Sequence, residues 1–199
     1  MSEENSEIMT IKLIVIGSCS AGKTSFVCRY ASNTFNKTHL STLGIDYKDK
    51  KIKYGNKTLR IRLWDTAGQE RFQSISKNYY KSVHGIIICF DLSMNDIESE
   101  IKTWEAKVFS EVNKSTPIIY VGTKCDLVSN STINYFSQFL QLENMKGIYI
   151  SSKKNVNVES AVNMIIQLIM EKQKVSPETE VKSVSLNTRI SKKEKKCCK

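Results

Sequence analysis

No apolar run in this sequence is long enough to cross a bilayer. The longest, Gly85 to Phe90, falls far short of the about 20 residues that a spanning helix needs. The opening residues, Met1 to Glu7, are polar and acidic. They lack the basic flank and apolar stretch of a secretory leader or transit peptide, so the expectation is a chain that stays on the cytosolic side. Cysteine occurs six times, at 19, 28, 89, 125, 197 and 198, and no two form a C-x₂-C pair. That removes the usual zinc and dithiol motifs, and in a reducing compartment these residues read as free thiols. No internal repeat is visible. What remains is an ordinary soluble composition, 40% hydrophobic and 25% charged, enough for one domain with a real core and a tail.

The net charge of +10 is unevenly placed. Residues 189–199 hold six basic side chains against Glu194 alone, a net of +5. A diffuse basic surface would suggest nucleic acid, but a basic run concentrated in this way suits an anionic membrane face at least as well, and an RNA-binding NTPase would draw only on the net charge.

Ile11 to Ile16 is nearly continuous in apolar residues, as a strand buried on both faces requires. Ile45–Tyr54 and a strand at Leu59–Trp64 flank Gly55-Asn56, a hairpin turn signal. In the second of these, Leu59, Ile61 and Leu63 alternate with Arg60, Arg62 and Trp64, the period of a strand with one core-facing side. Further buried strands are expected at Gly85–Leu92, Pro117–Thr123 and Lys146–Ser151. Helical spacing lies between them: Ile97, Ile101, Trp104 and Val108 form one stripe, and Val158, Ala161, Val162, Ile165, Ile166 and Ile169 another. These apolar positions, Trp104 included, read as core. Alternating strands and helices predict an α/β domain with a mostly parallel sheet. Beyond about Lys174 the periodicity fades and a disordered tail is expected.

Directly after the first strand stands Gly17-Ser-Cys-Ser-Ala-Gly22-Lys23-Thr24, which matches G-x-x-x-x-G-K-[ST] and opens a helical segment. Backbone N–H groups of Ser20, Ala21, Gly22, Lys23, Thr24 and Ser25 can nest an anion, and the helix N-terminus adds its dipole. Lys23 can reach the β- and γ-phosphates, and the Thr24 hydroxyl can ligate Mg²⁺. This signal says nucleoside triphosphate; it does not say which base.

Three more motifs follow strands: Trp64-Asp65-Thr66-Ala67-Gly68-Gln69-Glu70, Thr123-Lys124-Cys125-Asp126 and Ser151-Ser152-Lys153. With them the chain resembles the Ras-like small GTPases along residues 9–172. Ser41-Thr42-Leu43-Gly44-Ile45-Asp46-Tyr47, the run Asp65–Phe72 into Gln73–Ser76, and Tyr79-Tyr80 are most similar to the Rab branch. The resemblance implies a P-loop NTPase domain over 9–172. Its sheet would be six-stranded and mostly parallel, with one antiparallel edge hairpin strand and helices on both faces. Residues 1–8 would be a flexible N-terminus, and 173–199 a disordered hypervariable tail.

It also implies roles. Asp126 would accept hydrogen bonds from guanine N1–H and the exocyclic amine; adenine lacks both donors, and such sites reject analogues by roughly 10⁴-fold or more. Lys124 would cover one face of the base and Phe35 would pack against the ring. Thr123, Ser151, Ser152 and Lys153 would complete the base site. Mg²⁺ would be held by Thr24, by Thr42 when a γ-phosphate is present, and by Asp65 through water. The Gly68 amide would touch the γ-phosphate, and Gln69 would orient the attacking water. Two loops held by one phosphate relax when hydrolysis removes it. No arginine stands at an obvious in-chain finger position, so intrinsic turnover should be slow, on the order of 10⁻⁴ per second, until a partner assists. The implied partners are an exchange factor, an activating protein, a dissociation inhibitor and effectors. Tyr47, Trp64 and Tyr79 would form the effector surface of a monomeric switch in vesicle traffic.

Some positions depart from the family pattern. Thr123 replaces the more common Asn, yet its hydroxyl can still tie this loop to the phosphate loop. Ser152 replaces the usual Ala, a position that contributes mainly a backbone N–H to the guanine oxygen. Cys19 and Ser20 make the phosphate loop bulkier, and His39 stands where Tyr or Phe is usual. None removes a Mg²⁺ ligand or the catalytic glutamine. A C-a-a-X signal would need Cys at 196, where Lys196 stands; Cys197 and Cys198 resemble the Rab double-prenylation signal instead. Two lipids with a basic run give stable anchoring, which would place the protein on the cytoplasmic face of an intracellular membrane with a cytosolic pool. The competing readings are a Rho- or Ras-branch signalling GTPase and a nucleotide-locked scaffold with poor hydrolysis.

Overall fold

The computed structural model describes residues 8–36, 45–66, 80–94 and 96–175. Thr42, Gly68, Gln69, Tyr79, His39 and the tail with Cys197 and Cys198 lie outside these residues.

Six strands form one sheet: β1 (Ile8–Ile16), β2 (Ile45–Tyr54), β3 (Lys57–Thr66), β4 (Gly85–Asp91), β5 (Ile118–Thr123) and β6 (Gly147–Tyr149). The order across the sheet is β2-β3-β1-β4-β5-β6. β2 pairs antiparallel with β3, through the turn expected at Gly55-Asn56, and every other pair is parallel. The expected mostly parallel sheet with one antiparallel edge strand is therefore present. β1 starts three residues before the apolar run because Ile8, Met9 and Thr10 continue the ladder to Thr58, Leu59 and Arg60 of β3.

Among the described residues, four helices of more than one turn cover the sheet: α1 (Lys23–Ser32), α2 (Ile97–Glu111), α3 (Asn130–Leu142) and α4 (Val158–Val175). Strand periodicity decides which core each side chain joins. Ile11, Leu13 and Val15 of β1 pack with Phe26, Val27 and Tyr30 of α1 and with the α4 stripe from Val158 to Ile169. Ile14 and Ile16 point the other way, into a core with Ile97, Ile101, Trp104 and Val108 of α2 and Phe136, Phe139 and Leu140 of α3. On β3, Leu59, Ile61 and Leu63 are fully buried, as their alternation predicts.

Helix α3 has no counterpart among the sequence expectations. Asn, Ser, Thr and Gln dilute its apolar stripe to three buried positions. Its start is nonetheless written in the chain: the Ser129 side chain accepts from the Thr132 amide as an N-cap.

Candidate nucleotide-binding site

All the described loops of the site lie at the C-terminal ends of parallel strands, the usual place for ligands in open α/β sheets. The first follows β1. Gly17 has φ 139°, and a Cβ there would lie 1.9 Å from the Cys89 carbonyl oxygen, so only glycine fits against β4. Ser20 (φ 61°) and Gly22 (φ 79°) adopt left-handed backbone, which bends the loop into the N-terminus of α1. The helix dipole is thereby aimed at whatever the loop encloses. Lys23 is buried, and its ammonium donates to the Gly17 and Ser18 carbonyls at 2.6 Å each. Ser18 is braced from the far side by the Trp104 indole N–H at 3.1 Å. Trp104 is thus the core residue expected, and it also supports the phosphate loop.

Asp65 stands at the end of β3, beside β1. It is 5% exposed, and its Oδ1 is buried with no hydrogen-bond partner among the described residues. Burial pushes its carboxyl up, while a hydrogen bond from Thr24 and the charge of Lys23 pull it down. A buried carboxylate oxygen without a partner is costly. A divalent cation next to Thr24, held directly or through water, would relieve it. The residues present fit Mg²⁺.

The second loop follows β5. The Thr123 hydroxyl lies 2.8 Å from the Ala21 carbonyl and 3.1 Å from that of Phe90, so it joins the base loop to the phosphate loop. Lys124 takes left-handed backbone (φ 57°) and opens a single 3₁₀ turn, Cys125–Leu127. Its ammonium donates to Asp91 Oδ2 at 2.7 Å. Burial alone would raise the Asp91 carboxyl, but Lys124 and two bonds from Ser93 hold it below the usual range.

The third loop follows β6. The Ser151 hydroxyl donates to Asp126 Oδ1 at 2.6 Å and accepts from the Lys154 amide at 3.0 Å, which fixes the orientation of the Asp126 carboxylate. Arg29, near the end of α1, donates through Nε to the Ser152 carbonyl at 2.7 Å and through Nη2 to that of Lys153 at 3.4 Å. The same guanidinium holds Asn33 O and Oδ1, at the left-handed cap of α1.

Between the three loops opens a cavity of about 320 Å³, lined by Gly22, Ser25, Phe35, Thr123, Lys124, Asp126, Ser152 and Lys153, with Asn36 and Leu127. The structure thus brings Gly22 and Ser25 of the first loop to the same cavity as Phe35 and the base-side candidates Thr123, Lys124, Asp126, Ser152 and Lys153, while Ser20, Lys23, Thr24 and Asp65 do not line it. Tyr47 and Trp64 face each other across β2 and β3, ring centroids 5.1 Å apart, and Tyr47 is 46% exposed. Sequence reasoning missed Asp91, Arg29 and the Trp104–Ser18 bond. Asp91 had a weak signal, a carboxylate at the C-terminal end of a strand; Arg29 had none.

A family profile described as the Ras family matches residues 12–171. The chain is also similar to GTP-binding protein YPTM1 of Zea mays, 35% identical over 152 residues, 75% of this chain and 73% of that protein. Ras-related protein Rab-3C of Bos taurus is 32% identical over 196 residues, covering 95% and 85% of the two chains. Ras-related protein Rab-1 of Theileria parva is 34% identical over 181 residues, covering 89% and 82%.

Proposed function

The chain belongs to the Ras family of small GTPases, on its Rab branch, and we propose that the cleft between its three loops is where it holds and hydrolyses GTP. As a Rab-type GTPase it cycles between GTP- and GDP-bound states, uses Mg²⁺, meets the general regulators and effectors of that family, and serves intracellular vesicle traffic. The observation that carries the residue assignments is Asp126, held by Ser151 on the wall of a cavity that also touches Gly22 and Ser25 of the phosphate loop. A reader of the base and a cradle for phosphate share one cleft.

In this reading the amides from Ser20 to Ser25 and the Lys23 ammonium bind the β- and γ-phosphates. Lys23 exchanges its carbonyl partners for phosphate oxygens. Asp126 takes the two guanine donors, the Ser152 amide takes the guanine oxygen, and Lys124 and Phe35 sandwich the ring, with Thr123, Ser151 and Lys153 supporting them. Thr24, Thr42 and Asp65 would hold Mg²⁺, which when bound neutralises charge on the phosphates. Gly68 contacts the γ-phosphate, and Gln69 orients the water that attacks it. Tyr47, Trp64 and Tyr79 form the surface that effectors read.

We extend the reading to the membrane. No helix among the described residues is long and apolar enough to span one. Attachment is assigned to prenyl groups on Cys197 and Cys198, backed by the tail lysines, and the protein acts as a monomer with a cytosolic pool. The test of the site is direct. Protein purified natively and then denatured should release guanine nucleotide; recovery of adenine nucleotide would overturn the assignment of the base. Fractionation of the Cys197→Ser, Cys198→Ser and double variants tests the anchor. The double variant should be cytosolic, and one that stays on membranes would refute lipid attachment.

A further inference from the structure

The two ends of the sheet differ in chemistry. Nucleotide loops gather where the parallel strands finish. The opposite end collects the β2–β3 turn, the described residues just before β4, β5 and β6, and the C-terminus of α4. Each of these brings an exposed lysine: Lys53 and Lys57 flank the turn, Lys81, Lys114 and Lys146 precede β4, β5 and β6, and Lys174 lies in the last turn of α4. Among the described residues, the same segments carry three carboxylates, Glu111, Glu143 and Glu171.

Apolar side chains are exposed at this end too. Tyr54 is 37% exposed at the hairpin turn, Ile8 is 42% exposed opposite Thr58, and Leu142, the last residue of α3, is 85% exposed. Helix α4 descends toward the same end: Ile165 and Ile169 cover Gly85, the first residue of β4, and Lys172 donates to the Ser115 carbonyl just before β5. Residues 176–199, with their basic run, therefore continue from here. The bulk charge agrees. Residues 46–62 hold seven basic side chains against Asp46 and Asp49, a net of +5. With the +5 of residues 189–199, that equals the whole excess of the chain.

Lysines on an edge strand guard it against pairing with other chains. That accounts for those on β2. It extends to Lys146 beside the other edge strand, β6, but does not account for Lys114 and Lys174 or for the exposure of Leu142. Cations dispersed over a broad surface, with isolated apolar and aromatic side chains among them, match a bilayer interface, which demands charge and amphipathic anchors and no fixed shape.

We propose that this end of the domain is itself a contact with an anionic membrane surface, and that it seats the domain with its nucleotide cleft turned away from the lipid. The proposal rests on the membrane location given above and is independent of lipid modification. Glu3, Glu4 and Glu7, which precede Ile8, subtract from the attraction, so the full chain is the object to test.

The experiment uses full-length, unlipidated, GDP-loaded protein, sedimented with phosphatidylcholine vesicles that contain about one-third phosphatidylserine or none. Binding should need the anionic lipid and fall with salt. The Lys114→Ala/Lys146→Ala/Lys174→Ala variant should bind about 100-fold more weakly, at about fivefold per charge, with its nucleotide content and melting temperature unchanged. Leu142→Ser should weaken binding further on the anionic vesicles. A triple variant that partitions as the wild type does would overturn the proposal and leave all the attraction to the tail. Equal binding of the wild type to neutral vesicles would also overturn it, as would preference for an oligonucleotide over vesicles at equal phosphate. Because no lipid is attached to the protein, failure of anchoring at Cys197 and Cys198 would not alter this result.

Discussion

Arg29 offers the sharpest quantitative test of how the base site is held. Its Nε–H donates to the Ser152 carbonyl at 2.7 Å in a partly buried position, and a hydrogen bond from a charged donor contributes about 1.5–3 kcal/mol. The bond to Lys153 at 3.4 Å is long, and those to Asn33 are exposed and local. The loop keeps other ties in any variant, notably the Ser151–Val156 bridge and the Ser151–Asp126 bond. Arg29→Ala should therefore cost about 1–2 kcal/mol of nucleotide binding, which corresponds to release about 5- to 30-fold faster. The assay is displacement of a fluorescent GDP analogue by excess unlabelled GDP. Since the loop is assigned to the guanine oxygen through the Ser152 amide, the effect should shrink with a diphosphate of 6-thioguanine, which keeps N1–H and the amine but offers sulfur, a weaker acceptor, in place of that oxygen. Arg29, Ser152 and the oxygen then form a thermodynamic cycle. A release rate unchanged from wild type, or a loss of equal size with both bases, would refute the argument.

Three further outcomes are expected. Asp126→Asn should shift preference toward xanthine nucleotides, whose 2-oxo group asks for a donor; unchanged GTP affinity in a competition assay would remove Asp126 from the base site. Gln69→Leu should keep nucleotide affinity while single-turnover hydrolysis falls, with and without an activating protein, and an unaltered rate would exclude the role. The third concerns pH. Asp91 is held below the usual carboxylate range, so the stability it contributes is present above its unfolded-state value and is lost as pH falls through the folded one. The melting temperature of wild type should exceed that of Asp91→Asn at neutral pH, and the gap should close in acid; a gap independent of pH would refute the Lys124–Asp91 account.

The sheet was legible because each strand carries its own signal: continuous apolar residues where both faces are buried, as in β1 and β4, and alternation in β3. Helix α3 was not, since only Phe136, Phe139 and Leu140 mark its buried face. At the site, the motifs after β1, β3, β5 and β6 could be read because each is local and loop geometry limits which residues can serve. The supports could not. Arg29 and Ser152 are separated by 123 positions and Lys124 and Asp91 by 33. Nothing in the local pattern of either partner announces such a contact, which exists only once the sheet order has brought the segments together.

Thr123 carries a consequence in proton count. A hydroxyl has one hydrogen to give, yet two carbonyls, of Ala21 in the phosphate loop and Phe90 in β4, stand within reach of it. An amide side chain at this place would bring two hydrogens and could serve both. Here the loop proposed to hold phosphate and the strand beneath it share a single donor, which Thr123, only 2% exposed, keeps away from water. The loop proposed to hold phosphate is thereby tied to the backbone of β4 through one shared hydrogen.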